Sequence, residues 1–185
     1  MKFFIVSDTH DNIDAVKRFL DVLKSSFISS GFLIHLGDIV SPFTLKLISE
    51  SLPPKFNLKV VLGNNDGDKV LLSRIAKEVY DQPEEADLCG LKAFLLHGFK
   101  SVELTEKIAY GVACGGYYDV VLYGHTHRFK IEKIRNSYLI NPGTLSGYLA
   151  SRKTYGIIDC EDLTASITDL ESGERILSTK ITAGR

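Results

Sequence analysis

The chain has 185 residues, 44% hydrophobic and 24% charged, with a formal net charge of −1. That is about one domain's length, enough to bury a core without a stapling metal or disulfide. The near-neutral balance gives no ground for expecting a nucleic-acid polymer or an acidic membrane as partner. The three cysteines, Cys89, Cys114 and Cys160, are far apart and odd in number, with no C-x-x-C. This pattern points to a reducing cytosol and argues against both a disulfide framework and a thiolate zinc site.

In chain order, the apolar start runs only to Ser7-Asp8. It is too short for a signal-peptide core or a membrane span, so it reads as the first strand of a cytoplasmic protein. Ile13, Val16, Phe19, Leu20, Leu23 and Phe27 then recur at helical spacing, with Asp11 or Asn12 as cap. Gly31 ends that helix and a second strand follows. Ser41-Pro42 opens a second helix, with Ser at the cap and Pro in the first turn, and it stops before Pro53-Pro54. A third strand covers 58–62. The next helix carries Val70, Leu71 and Ile75 on one face. Residues 79–88 read as irregular or a short strand. A strand over 91–96 leads to a helix capped by Ser101, bearing Leu104, Ile108 and Val112 and ended by Gly115-Gly116. Residues 119–123 form the next strand. From about 128 the pattern changes to short β-like runs (128–135, 138–140, 154–159, 164–169 and 175–181), separated by turns at Asn136-Ser137, Pro142-Gly143 and Ser172-Gly173. The expected architecture is α/β: a two-sheet β-sandwich flanked by helices, forming a single domain over 1–185.

Five apolar runs end in polar clusters: Ser7-Asp8-Thr9-His10, Gly37-Asp38, Gly63-Asn64-Asn65-Asp66, His97-Gly98 and Gly124-His125-Thr126-His127. Parallel strands present their carboxyl ends on one edge, and ligands bind in the crevice outside it. Two Asp, one Asn and four His would converge there. Mixed nitrogen and oxygen donors without thiolate suit divalent transition metals, and affinity order alone does not choose among them. Asp-x-His and His-x-His steps each offer two donors, because alternate residues of an extended segment share a face. Taken singly, most of these motifs are ordinary turns or caps. Their order and their shared edge make the pattern.

Asp-x-His, Gly-Asp, Gly-Asn-x-Asp, His-Gly and Gly-His-x-His, in this order, resemble the calcineurin-like metallophosphoesterase superfamily. The Ser-Asp-Thr-His and Asn-Pro-Gly-Thr stretches resemble its small archaeal and bacterial phosphodiesterase branch. The likeness runs from Phe3 to about Asp159. It implies two sheets flanked by helices (an αββα order) and two divalent metal ions at the strand ends, manganese first, with nickel, cobalt, iron or zinc as alternatives. It also implies a division of ligands: Asp8, His10, bridging Asp38 and His127 for one ion, and Asp38, Asn64, His97 and His125 for the other. A metal-bridging hydroxide would attack phosphorus in line with the leaving alcohol. Members of the family often read Gly-Asn-His-Asp/Glu, with that His as proton donor. This chain has Asn65, which donates a hydrogen bond but delivers no proton. The substitution points to diesters or activated aryl esters over alkyl monoesters. Asp66, which in the family orients the preceding His, reads here as a cap of the next helix. Asp11 stands where the branch commonly has Gly and reads as the cap of the first helix.

His35 reads either as a support for Asp38 or as a satisfied core residue. Asn141-Pro142-Gly143-Thr144 reads as a turn before a substrate contact. Arg128, Lys130, Lys133, Arg135, Arg152 and Lys153 read as solvated positions, and Cys114 as a packed residue. The expected activity is hydrolysis of a small soluble phosphate ester, nucleotide-like diesters among them. No membrane or long nucleic acid is expected, and a homo-oligomer is compatible with the sequence. The rival readings are a phosphomonoesterase and a non-catalytic interaction scaffold like the small retromer subunit, which shares this branch's likeness.

Overall fold

The computed structural model describes residues 1–26 and 30–183, so Phe27 of the first helical repeat lies outside the described residues. The elements are β1 (Lys2–Val6), α1 (Ile13–Ser25), β2 (Gly31–His35), α2 (Pro42–Ser51), β3 (Phe56–Val61), α3 (Lys69–Ile75), β4 (Glu78–Tyr80), β5 (Glu84–Leu88), β6 (Leu91–Leu96), α4 (Val102–Gly115), β7 (Val120–Tyr123), β8 (Lys130–Ile134), β9 (Ser137–Asn141), β10 (Thr154–Asp159), β11 (Thr164–Asp169) and β12 (Arg175–Lys180). They build a seven-stranded sheet, ordered β12-β11-β10-β1-β2-β3-β4, and a five-stranded one, ordered β5-β6-β7-β9-β8. β1, β2, β3 and β4 run parallel, as do β6, β7 and β9. The remaining pairings are antiparallel, so both sheets are mixed.

Strand alternation sorts the apolar residues into layers. Phe3, Ile5, Ile34 and Val61 of the larger sheet meet Leu91, Ala93, Leu95, Val120, Leu122 and Ile140 of the smaller one. Phe4, Val6 and Leu33 face outward onto Val16, Phe19, Leu20 and Leu23 of α1. Leu96, Val121 and Leu139 face Ala109 and Ala113 of α4. Covered on both faces, residues 3–6 of β1, 32–34 of β2 and all of β7 read as apolar runs, whereas β3 carries Asn57 and Lys59 and β6 carries Lys92 before their buried ends. No helix among the described residues is long and apolar enough to cross a membrane.

Several local expectations change. Residues 79–88, expected as irregular or a short strand, hold the end of one strand, β4, and the whole of a second, β5. On α3 the buried residue is Leu72, while Val70 and Leu71 are exposed. On α4 the sheet-facing residues are Thr105, Ala109 and Ala113, with Ile108 and Val112 on its flank. Small side chains let the helix lie close to the sheet, so the larger ones serve at the side. Asn12 caps α1, its Oδ1 accepting from Ala15 N at 3.1 Å, and Asp68 caps α3. Neither Asp11 nor Asp66 does so. Ser41 and Ser101 cap α2 and α4 as expected.

Cys89 and Cys160 form a disulfide, with Cα atoms 5.3 Å apart and a sequence separation of 71. The expectation of unpaired thiols is therefore overturned. Distance along the chain concealed the pair; stacking the two sheets brings it together. Cys89 lies in the β5–β6 turn, and Cys160 follows β10 beside Met1, its N–H donating to Met1 O. The bridge therefore ties the sheets at the end where β1 and β6 begin. Cys114 is free and partly buried.

Candidate metal centre

The opposite end of the sandwich, where β1, β2, β3, β6 and β7 finish, gathers all seven candidate ligands into two adjoining clusters. Asp8, His10 and His127 form one, and Asp38, His97 and His125 the other; within each, the ligand atoms lie within 4.8 Å of one another. Asn64 Oδ1 lies 3.1 Å from His97 Nε2 and so joins the second cluster. Asp38 stands between them, its Oδ1 3.3 Å from His97 Nε2 and its Oδ2 3.7 Å from His10 Nε2.

The backbone reaches this arrangement by turning, not by extension. Asp8, His10, Asp38, His125 and His127 all adopt left-handed φ, between 41° and 63°. Such conformations are unfavourable for non-glycine residues and persist where surrounding structure imposes them. Here the ties are Asp8 N to Gly37 O, His10 N to Asp38 O and His125 N to Asp8 Oδ2, each 3.0 Å. The extended Asp-x-His step expected from sequence is thus a pair of left-handed residues. Gly63 and Gly124 have no room for a side chain: a Cβ on the first would collide with Asp38 Oδ1, and on the second with Ser7 Oγ.

The hydrogen-bond partners of two imidazoles set their tautomers. His97 Nδ1 donates to Leu36 O at 2.7 Å and His127 Nδ1 to Tyr148 O at 2.6 Å, since a carbonyl only accepts. Each Nε2 is thereby turned toward a carboxylate, His127 Nε2 standing 3.1 Å from Asp8 Oδ1. Asp8 Oδ1 is buried without a hydrogen-bond donor. Lone pairs facing lone pairs at these distances require a positive species between them, either an extra proton or a metal ion. Burial opposes charge on His97 and His127, but their bonds to Asp38 and Asp8 outweigh it and raise both above the ordinary imidazole value. Burial would likewise raise Asp8 and Asp38, yet the neighbouring imidazoles hold both carboxyls below their usual range. His125 is lowered by burial and by the charge of His97. A divalent ion would take the place of the protons that these carboxylates draw onto the imidazoles, and the donor set suits one: imidazole nitrogens, carboxylates and one amide oxygen.

The remaining predicted residues take distinct places. Asn65 grips Asp38 twice, through N–H to Oδ1 at 2.8 Å and Nδ2 to Oδ2 at 2.7 Å. Asp66 is buried and accepts from Asp38 N, Val40 N and Gly63 N, so it shapes the β2 loop instead of capping α3. Asp11 Oδ1 accepts from Ser41 N and Thr44 Oγ1, joining the first loop to the start of α2. His35 touches neither ligand carboxylate: its Nδ1 accepts from Gly37 N and its Nε2 donates to Thr9 Oγ1. Asn141 to Thr144 is a buried turn beneath the site, where Asn141 binds Gly124 O and Thr126, and Thr144 Oγ1 donates to Asp8 O. Arg128 is exposed. Lys130, Arg152 and Lys153 pair with Glu132, Glu174 and Glu171, while Arg135 donates to Cys114 O.

Two residues escaped the sequence reading. Gln82 Oε1 accepts from His97 N at 3.0 Å and Gly98 N at 2.8 Å, fixing the β6 end. Tyr148 packs on His10 and His127. Neither sits in a motif, and only folding brings them to the site.

A family model of the calcineurin-like phosphoesterase superfamily domain matches residues 1–163. The chain belongs to the calcineurin-like phosphoesterase superfamily. Within that superfamily it is 34% identical over 166 residues to a phosphodiesterase of Methanocaldococcus jannaschii, covering 87% of this chain and 94% of the relative. The solved structure of an archaeal phosphodiesterase superposes with a TM-score of 0.77 at 32% identity, covering 91% of this chain and 99% of that one. Vps29 of Chaetomium thermophilum shares the fold, with a TM-score of 0.72 at 19% identity, covering 100% of this chain and 97% of that one. The mixed two-sheet sandwich with outer helices is the calcineurin-like phosphoesterase fold.

Proposed function

We propose that this protein is a dinuclear metal-dependent phosphodiesterase acting on small soluble phosphate esters. The observation that carries the reading is the carbonyl-locked pair His97 and His127, whose free Nε2 atoms face the carboxylates of Asp38 and Asp8. Asp8, His10, Asp38 and His127 would hold one divalent ion; Asp38, Asn64, His97 and His125 the other. Manganese is the first choice, ahead of nickel, cobalt, iron and zinc. When bound, the two ions supply positive charge for the phosphoryl oxygens and lower the pKa of water.

The chain's own groups then set the selectivity. Leu36 O and Tyr148 O occupy the Nδ1 protons of His97 and His127, which keeps both rings oriented as ligands. Asn65, the residue on Asp38, hydrogen-bonds an oxygen but protonates nothing. A leaving alcohol must therefore depart without an acid, which favours diesters with activated leaving groups over alkyl monoesters. Lys130, Arg152 and Lys153 are paired with carboxylates and Arg135 is tied to Cys114 O, which leaves no broad basic groove among the cations that follow the last ligand and supports a small substrate over a polymer. On this reading the protein works as one domain over 1–185.

The test is matched hydrolysis of bis(4-nitrophenyl) phosphate and 4-nitrophenyl phosphate across manganese, nickel, cobalt, zinc and magnesium. Diester hydrolysis should depend on metal. It should fall by at least about a hundredfold in Asp38→Asn, the upper end of the loss from removing a partner one shell further out. Activity without metal, or full activity in Asp38→Asn, would sink the proposal. The scaffold reading draws on the fold shared with Vps29. A scaffold has no need of ligands, whereas here all seven positions hold competent donors.

A further inference from the structure

Tyr148 stands at the mouth of the centre, and its ring has no part in the chemistry proposed above. Its backbone carbonyl already serves His127. The ring lies edge-on to His10 and His127, with centroids 5.6 and 6.0 Å apart. Even so, the residue is 59% exposed, and Leu149 beside it is 80% exposed. The loop presenting it is tied down: Leu145 N donates to Ser7 O, Ser146 N to Asp8 O, and Tyr148 N to Ser146 Oγ. Gly147 and Leu149 flank it with φ of 75° and 55°, turning the chain sharply on each side of the ring. The result is an aromatic surface held in place by ties to the same Asp8 backbone that carries a ligand carboxylate.

We propose that Tyr148 is a specificity residue: its open surface stacks the planar base of a nucleoside esterified to the phosphate at the adjoining ligand clusters. The inference rests on the phosphodiesterase reading and narrows it to nucleotide-like esters. The ring centroid stands 5.6 and 6.0 Å from those of the ligands His10 and His127, and a ribose likewise carries its base to one side of its phosphate. Stacking accepts any base, because every base has a π-face, so the prediction concerns nucleosides in general and no single one. Leu149 offers apolar surface for the sugar edge.

The test compares two esters with one leaving group, 4-nitrophenyl thymidine 5′-phosphate and methyl 4-nitrophenyl phosphate, using the manganese-loaded full chain. Calorimetric binding of thymidine 5′-phosphate against methyl phosphate gives a second readout independent of turnover. Tyr148→Ala should raise KM for the nucleoside ester about tenfold more than for the methyl ester, with the same discrimination in Kd, toward the lower end of base–aromatic stacking. Tyr148→Phe and Tyr148→Trp should retain the discrimination. Equal KM shifts for both esters, or a loss confined to kcat, would mean the ring only buttresses the imidazoles, and would overturn the proposal. Tyr148→Phe behaving like Tyr148→Ala would also overturn it, assigning the role to the hydroxyl. If the wild type hydrolyses neither ester with any of the metals, the phosphodiesterase reading fails; the binding comparison then judges Tyr148 on its own.

Discussion

Asn65 occupies both oxygens of the carboxylate that stands between the two clusters, at 2.7 and 2.8 Å. A histidine there would bring an ionisable proton to the same place, and general acid catalysis contributes about 10²–10⁴-fold when the leaving group is poor. Asn65→His should therefore raise monoester turnover relative to diester turnover by about a hundredfold. The check is the ratio of kcat/KM for the two substrate types in one metal, and an unchanged ratio refutes the account. The type of this residue was legible from the sequence. Its double hold on Asp38 was not, because no spacing rule links positions 38 and 65. Asp66 shows the same limit. Its turn-rich surroundings suggested a helix cap, but three N–H donors from two loops converge on its buried carboxylate instead.

Element by element, β1, β2 and β7 share one device, a buried apolar strand that breaks into left-handed residues at the carboxyl edge. The strands are readable because burial on both faces makes the stretch leading to each carboxyl end apolar. The left-handed turns are not, since they arise from hydrogen bonds between neighbouring strand ends. His35 lies at one such join, carrying the Gly37 N–H and the Thr9 hydroxyl from opposite sides of its ring. Burial lowers its pKa from 6.5 to about 4, outweighing the nearby carboxylates. A depressed pKa means that the unfolded chain takes up the proton first. The stability this neutral ring contributes is therefore present above pH 6.5 and lost as pH falls from 6.5 toward 4. His35→Gln should be less stable at pH 7.5 and show a shallower loss across that window. Urea unfolding of both proteins at pH 7.5, 6 and 4.5, with chelator present, isolates the effect. Parallel curves for the two proteins would remove His35 from the pH dependence.

Across the whole molecule, chemistry and covalent bracing lie at opposite ends of the sandwich. The ligands sit where β1, β2, β3, β6 and β7 finish, and Cys89–Cys160 joins the sheets where β1 and β6 begin. Closing a loop of 71 residues stabilises the fold by about 4 kcal/mol on the chain-entropy model. Reduction, or Cys160→Ser, should lower the urea midpoint accordingly while leaving metal-dependent hydrolysis under native conditions within about twofold. A midpoint indifferent to reductant would show that the bridge contributes nothing. The disulfide also removes the support that cysteine spacing lent to a reducing compartment. The sequence by itself determined the layer order, the strand–helix alternation and the donor types at the strand ends. Those follow from local periodicity and from side-chain chemistry, which each residue carries with it. Only the tertiary structure decided which residues meet: the disulfide across the two sheets, Asn65 on Asp38, Gln82 under His97 and Tyr148 over His10 and His127. Contacts between residues far apart in the chain leave no periodic trace, because they depend on how the layers stack and where the loops come to rest.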